Sequence, residues 1–151
     1  MRGEWYVVAQ FVLMGLVVLV PRTLAGVGGL PLPGVVRWAG LVTAVAGLLA
    51  AGWVGRRLGP ALTPFPKPRK RAELVTTGPY AVVRHPIYTA ILVSAVGCAT
   101  WRASGWSYAA AGLLFALFVR KAAAEERWLV ARFPDYAMYQ RRVRRLVPFV
   151  Y

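Results

Sequence analysis

The sequence predicts an all-α fold: an integral membrane bundle of four transmembrane helices with a C-terminal amphipathic cytoplasmic helix. Three observations predict it. Hydrophobic residues make up 58% of the 151 and charged residues only 16%, against roughly 25% charged in an ordinary soluble domain. Four apolar runs of spanning or near-spanning length follow one another along the chain. Most of the basic residues lie between and after those runs. A soluble globule this small needs polar residues to cover a large surface, and a mean hydropathy of +0.53 leaves too few. A soluble domain, a disordered chain and a disulfide scaffold are all disfavoured. The whole of 1–151 reads as one domain.

The first run covers about 5–20 and ends at Pro21. Arg2 before an apolar run admits a signal peptide, but Glu4 and the poor cleavage site Thr23-Leu24-Ala25 argue against one. Gly28-Gly29 and Pro31-x-Pro33 mark the first outside loop. The second run, 35–54, fits a span best and stops at Arg56 and Arg57. Pro60, Pro64, Pro66 and Pro68 then favour an extended path across the membrane surface, most simply a plain basic linker. The third run, 86–101, opens at Pro86, whose missing N–H costs nothing at a first helical position. The fourth covers about 104–124 and exits at Arg120 and Lys121. The first and third are short, and Trp5, Trp101 and Trp106 at the interface complete them. Beyond, 125–148 repeats apolar residues every three or four positions with arginines between. That is the pattern of an interfacial helix or a lid, restarted at Pro134.

The formal net charge of +14 would suggest nucleic acid in a soluble protein. Here it suits anionic headgroups. Sixteen of the nineteen basic residues fall at the N-terminus, in the central loop or in the C-terminal stretch. Only Arg22, Arg37 and Arg102 fall on the other side. The positive-inside rule puts both termini in the cytoplasm, in agreement with four spans, and the composition suits a bacterial inner membrane. The expected partner on these grounds is the bilayer, with no nucleic acid. Cys98 has no internal disulfide partner, and one His with one Cys is too few for a protein-only zinc site, so no metal is expected.

Polar residues at the edge of a span call for an explanation. One cluster is Gly78-Pro79-Tyr80-Ala81-Val82-Val83-Arg84-His85-Pro86-Ile87-Tyr88; the other is Glu125-Glu126-Arg127. The third helix climbs and the fourth descends over nearly equal lengths, so His85 and the two glutamates share one depth on the cytoplasmic side. Read singly, His85 is an ordinary helix-start residue and the glutamates an ordinary solvated salt bridge. Read together, they line a pocket of both charge signs, suited to a ligand with an amine, a carboxylate and an aromatic base.

The string Gly78-Pro79-Tyr80-x3-Arg84-His85-Pro86-x-Tyr88 is followed by an apolar hairpin. Then come Glu125-Glu126-x2-Leu129-x3-Phe133-x2-Tyr136-x2-Tyr139 and Arg145-x2-Pro148. Over roughly 74–148 this resembles the isoprenylcysteine carboxyl methyltransferase family, whose superfamily includes membrane phospholipid methyltransferases. The resemblance implies an S-adenosylmethionine-dependent membrane methyltransferase acting on an isoprenylcysteine-carboxylate-like, thiol or phospholipid-amine acceptor, with S-adenosylhomocysteine as product. It implies catalytic roles for Arg84, His85, Glu125 and Glu126. It implies a methyl-donor site of Tyr80, Arg84, His85, Pro86, Tyr88, Glu125, Glu126, Tyr136 and Tyr139. Two rival readings are a nicotinamide-dependent membrane reductase and a non-enzymatic membrane protein binding lipid or a partner.

Overall fold

A computed structural model describes residues 3–24, 26–59, 63 and 74–148. Pro60, Pro64, Pro66 and Pro68 of the central loop lie outside the described residues, as do Arg2, Lys67, Arg69, Lys70 and Arg71. The described residues form five α-helices and no strand: α1 Glu4–Leu19, α2 Gly34–Leu58, α3 Pro86–Arg102, α4 Gly105–Arg132 and α5 Tyr136–Arg142. A 3-10 turn, Gly78–Ala81, precedes α3.

Helix α4 is the centre. Its Ala110, Ala111, Leu114, Leu117 and Phe118 form a buried core with Val17 of α1 and Ala95 of α3. α3 and α1 pack on α4, while α2 packs on α3. This leaves α2 open to its surroundings: Trp38, Val42 and Leu49 are each about two-thirds exposed, at 66%, 69% and 69%. Apolar surface on that scale is untenable in water and natural against lipid. Helices α2 and α4 are long and apolar enough to cross a bilayer. α1 and α3, with 16 and 17 residues, are shorter.

α2 and α3 meet backbone to backbone. A Cβ on Gly47 would lie 2.6 Å from the Ser94 nitrogen and 2.8 Å from the Ala90 oxygen. One on Gly40 would lie 2.7 Å from the Trp101 nitrogen. Without water there is little hydrophobic drive between helices, so close van der Waals approach through small residues takes its place.

The turns hold the helices in antiparallel order. Ala103 takes a left-handed conformation (φ 49°, ψ 48°) to end α3, and Ser104 starts α4 by accepting the Ser107 N–H at 3.2 Å. The loop between α1 and α2 lies against this turn: Gly105 N–H donates to Gly28 O at 2.7 Å, and Leu30 N–H to Ala103 O at 2.8 Å. Gly28 (φ 103°) sits so close to the Trp106 ring that a side chain there would collide with it. The three arginines of this end tie up backbone carbonyls. Arg22 donates to Ala103 O and Leu30 O, Arg37 to Trp101 O, and Arg102 to Val20 O. These basic residues close helix ends.

The fourth apolar run lies within a longer helix: α4 continues unbroken past Glu125 and Glu126 to Arg132 and stops just before Pro134. One expectation changes. The C-terminal amphipathic helix is much shorter than 125–148, and α5 holds only seven residues. After it the chain turns back toward α3. Arg84 N–H donates to Arg144 O at 2.8 Å and His85 N–H to Arg145 O at 3.0 Å, while Thr89 Oγ1–H reaches Leu146 O at 2.6 Å. Backbone groups that would extend α5 are spent on this pairing, so the tail is a strap rather than an interfacial helix.

Candidate active site

Three segments converge at the end of the bundle where α3 begins: the loop before α3, the last turns of α4, and α5 with its strap. The loop is shaped by Gly78 (φ 62°) and Pro79, which set the 3-10 turn and bury Tyr80. Pro86 occupies the first position of α3 and makes His85 its N-cap. The imidazole does not cap the helix. It reaches across to α4, with Nδ1 3.4 Å from Glu125 Oε2 and Nε2 3.2 Å from Glu126 Oε1. Burial pushes the histidine toward neutrality, but hydrogen bonds to Glu125 and then Glu126 outweigh it, and its pKa is raised. Two carboxylates, one at each ring nitrogen, favour the imidazolium, which donates from both.

The two glutamates do different jobs. Glu126 is 3% exposed and fully engaged. Its Oε1 accepts from Arg84 Nε at 2.7 Å, and its Oε2 accepts from Arg145 at 2.7 and 3.0 Å and from Gln140 at 3.3 Å. Arg84 also donates to Gln140 O at 2.9 Å and to Val143 O. Glu126 therefore locks loop, α4, α5 and strap together. Glu125 takes a hydrogen bond from the Tyr88 hydroxyl, faces His85, and keeps spare acceptor capacity on a partly exposed carboxylate.

Aromatic rings complete the site. Tyr88 stacks on Phe118 with centroids 4.4 Å apart and lies parallel to His85 at 5.4 Å. Tyr136 meets Tyr139 edge-on, and the Tyr139 hydroxyl donates to Tyr80 O at 2.5 Å. Burial, reinforced by the neighbouring phenol, raises Tyr80 to about 12. Burial likewise raises Tyr139 to about 12, so both phenols stay neutral. The Tyr136 hydroxyl is buried and has no hydrogen-bond partner among the described residues. A buried hydroxyl without a partner, in the same cluster as a carboxylate of spare capacity, is what a polar ligand would satisfy.

All nine residues singled out from the sequence thus lie in one linked cluster. Arg84 and Glu126 spend their polar atoms on each other and on the strap, and Pro86 contributes only by starting α3. Sequence reading missed Arg145 and Gln140 as partners of Glu126. It also missed Lys121 and Gln10, which meet inside the helix bundle next to the cluster. A lysine one helical turn before Glu125, and a glutamine inside an apolar helix, were the available signals.

The phospholipid methyltransferase family model matches residues 35–135. The chain is 33% identical over 153 aligned residues to a cobalt-zinc-cadmium resistance protein of Cupriavidus metallidurans, covering 97% of this chain and 62% of that protein. It is 40% identical over 81 residues to a nickel-cobalt-cadmium resistance protein of Alcaligenes xylosoxydans xylosoxydans, covering 53% of this chain and 38% of that protein. The chain therefore spans less than two-thirds of the length of either relative.

Proposed function

Because the chain belongs to the phospholipid methyltransferase family, we propose that it is an S-adenosylmethionine-dependent methyltransferase working at the cytoplasmic membrane interface on an apolar or lipid-like acceptor. One observation carries the reading. Glu125 keeps a partly free carboxylate, fixed by Tyr88 and His85, in the cluster that also buries the unpartnered Tyr136 hydroxyl. That set fits the methyl donor: Glu125 would accept from its cationic amino or hydroxyl groups, Tyr136 would bond a polar group, and the Tyr88 and Phe118 rings offer apolar faces. When bound, S-adenosylmethionine supplies a methyl group already activated on a sulfonium. The chain's own work is then alignment and exclusion of water. Arg84, Glu126 and Arg145 strap the C-terminal tail over the cluster, and Tyr139 ties α5 to the Tyr80 turn.

In this reading all four long helices span an inner membrane as one domain, with both termini cytoplasmic. The charge asymmetry and the antiparallel order support that placement. For the relatives' metal resistance, we propose that any share this chain has in such a phenotype runs through methylation of a membrane component.

The test is titration of S-adenosylhomocysteine and NADPH into the purified protein and its Glu125→Gln variant. Loss of one hydrogen bond to a charged group costs about 1.5–3 kcal/mol, so the variant should bind S-adenosylhomocysteine roughly ten- to hundredfold more weakly. NADPH binding instead would move the reading to a membrane reductase. Binding of neither would leave a non-enzymatic protein.

A further inference from the structure

Lys121 is 1% exposed, inside α4, and no salt bridge to it occurs among the described residues. Its ammonium donates to Gln10 Oε1 of α1 at 2.6 Å and lies 5.2 Å from the centre of the Tyr88 ring. A neutral carboxamide and a ring face are poor compensation for a buried cation. Lys121 precedes Glu125 by four residues, so the two share a face of α4, with Lys121 about 6 Å deeper toward the bilayer. The Tyr88 ring stands under Lys121 while its hydroxyl donates to Glu125. A polar wall thus runs from Gln10 through Lys121 and Tyr88 to Glu125, positive on the membrane side and negative on the cytoplasmic side.

We propose that Lys121, held by Gln10, binds the anionic head of the methyl acceptor, so that the nucleophile is a carboxylate or thiolate rather than an amine. This rests on the methyl-transfer reading and names its acceptor class. A head rising from the bilayer beside α1 meets Lys121 before Glu125, and its oxygen or sulfur replaces the Gln10 carbonyl oxygen at the ammonium. Glu125, a turn further on, draws the cationic methyl donor. In the transfer, a lone pair of the acceptor oxygen or sulfur forms the new bond to the methyl carbon. The methyl–sulfonium bond breaks, and its electron pair stays on the methyl donor's sulfur. Anion and sulfonium become a neutral ester or thioether and a neutral thioether; a carboxylate arrives already ionised, whereas an alkyl thiol first gives its proton to water at the interface, and the thiolate so formed is what Lys121 holds. An amine would instead gain positive charge beside Lys121 and would have to shed a proton. The pull of Lys121 on the anion weakens as that charge is neutralised, so its effect falls on acceptor binding rather than on the transfer step.

The test uses the full chain in liposomes with dodecanoic acid, dodecanethiol and dodecylamine as acceptors. Wild type should methylate the acid or the thiol and leave the amine; which of the two anions reacts separates carboxylate from thiolate. Lys121→Met should raise KM for that acceptor roughly ten- to hundredfold, with kcat changed far less. S-adenosylhomocysteine affinity and melting temperature should stay near wild type, and Lys121→Arg should restore most of the loss. Wild type methylating the amine as well as the anions would overturn the proposal and leave methyl transfer standing. So would Lys121→Met with unchanged KM. Wild type that binds no S-adenosylhomocysteine would sink both readings.

Discussion

Glu125 and Glu126 are adjacent in sequence and opposite in role. Successive residues of a helix point about 100° apart, so one carboxylate faces the open cluster and the other the strap. Nothing local to Glu-Glu-Arg says which is which. The partners that decide it, Arg84, Gln140 and Arg145, come from segments distant in sequence. Removing the charge of Glu126 strands two guanidiniums and an imidazolium around a neutral amide. Breaking a buried ion pair from one side costs about 3–5 kcal/mol; with Arg145 partly exposed, Glu126→Gln should lose about 3 kcal/mol. Glu125→Gln keeps an oxygen for Tyr88 to bond and should lose about 1 kcal/mol or less. Thermal unfolding of both variants in one detergent checks this. Equal losses would show that Glu126 is not the knot that closes the site.

At the level of elements, the sequence was most readable where proline or chain length set the structure. Pro86 begins α3, and the short link from α3 to α4 forces them antiparallel, which brought His85 to the depth of the glutamates. Two things were hidden. Arg120 and Lys121 look like a membrane exit, yet Lys121 turns inward to Gln10 and α4 runs on to Arg132. The three- and four-residue periodicity after 136 reads as helix, but the strap's pairing with the loop before α3 wins after Val143. The α2–α3 contact was also invisible, since small residues carry no hydrophobic signal. It makes a sharp contrast between two glycines of α2. A Cβ on Gly52 would meet nothing within 4 Å, so Gly52→Ala should stabilise by about 0.5–1 kcal/mol through helix propensity alone. Gly47→Ala gains the same propensity but pushes a methyl against α3 backbone, and should lose about 1–3 kcal/mol net. Reversible unfolding in mixed micelles measures both. A stabilising Gly47→Ala would mean that α2 and α3 do not touch there.

For the whole molecule, the question is where the acceptor enters. Four long helices use most of the described chain, and the polar cluster lies at the end of the bundle beside apolar surface. Trp128 is 49% exposed just beyond Glu125, and Ile87 and Ile91 follow His85 on α3. The Lys121–Gln10 contact lies deeper still. In the proposed reading, an acceptor anchored in the leaflet arrives at the depth of the cluster, whereas one dissolved in water comes from the side of the strap. Each methylene transferred from water to an apolar phase contributes about 0.8 kcal/mol. Counted over total volume, catalytic efficiency should therefore rise by up to about fourfold per methylene while the chain drives partition into the bilayer. A second measurement isolates the route. With a long-chain acceptor held at constant total concentration, extra acceptor-free liposomes dilute it within the membrane and leave its amount unchanged. Entry from the leaflet makes the rate fall in proportion to that dilution. A rate indifferent to surface dilution, with short water-soluble acceptors methylated as efficiently as long ones, would place the entrance on the aqueous side of the strap.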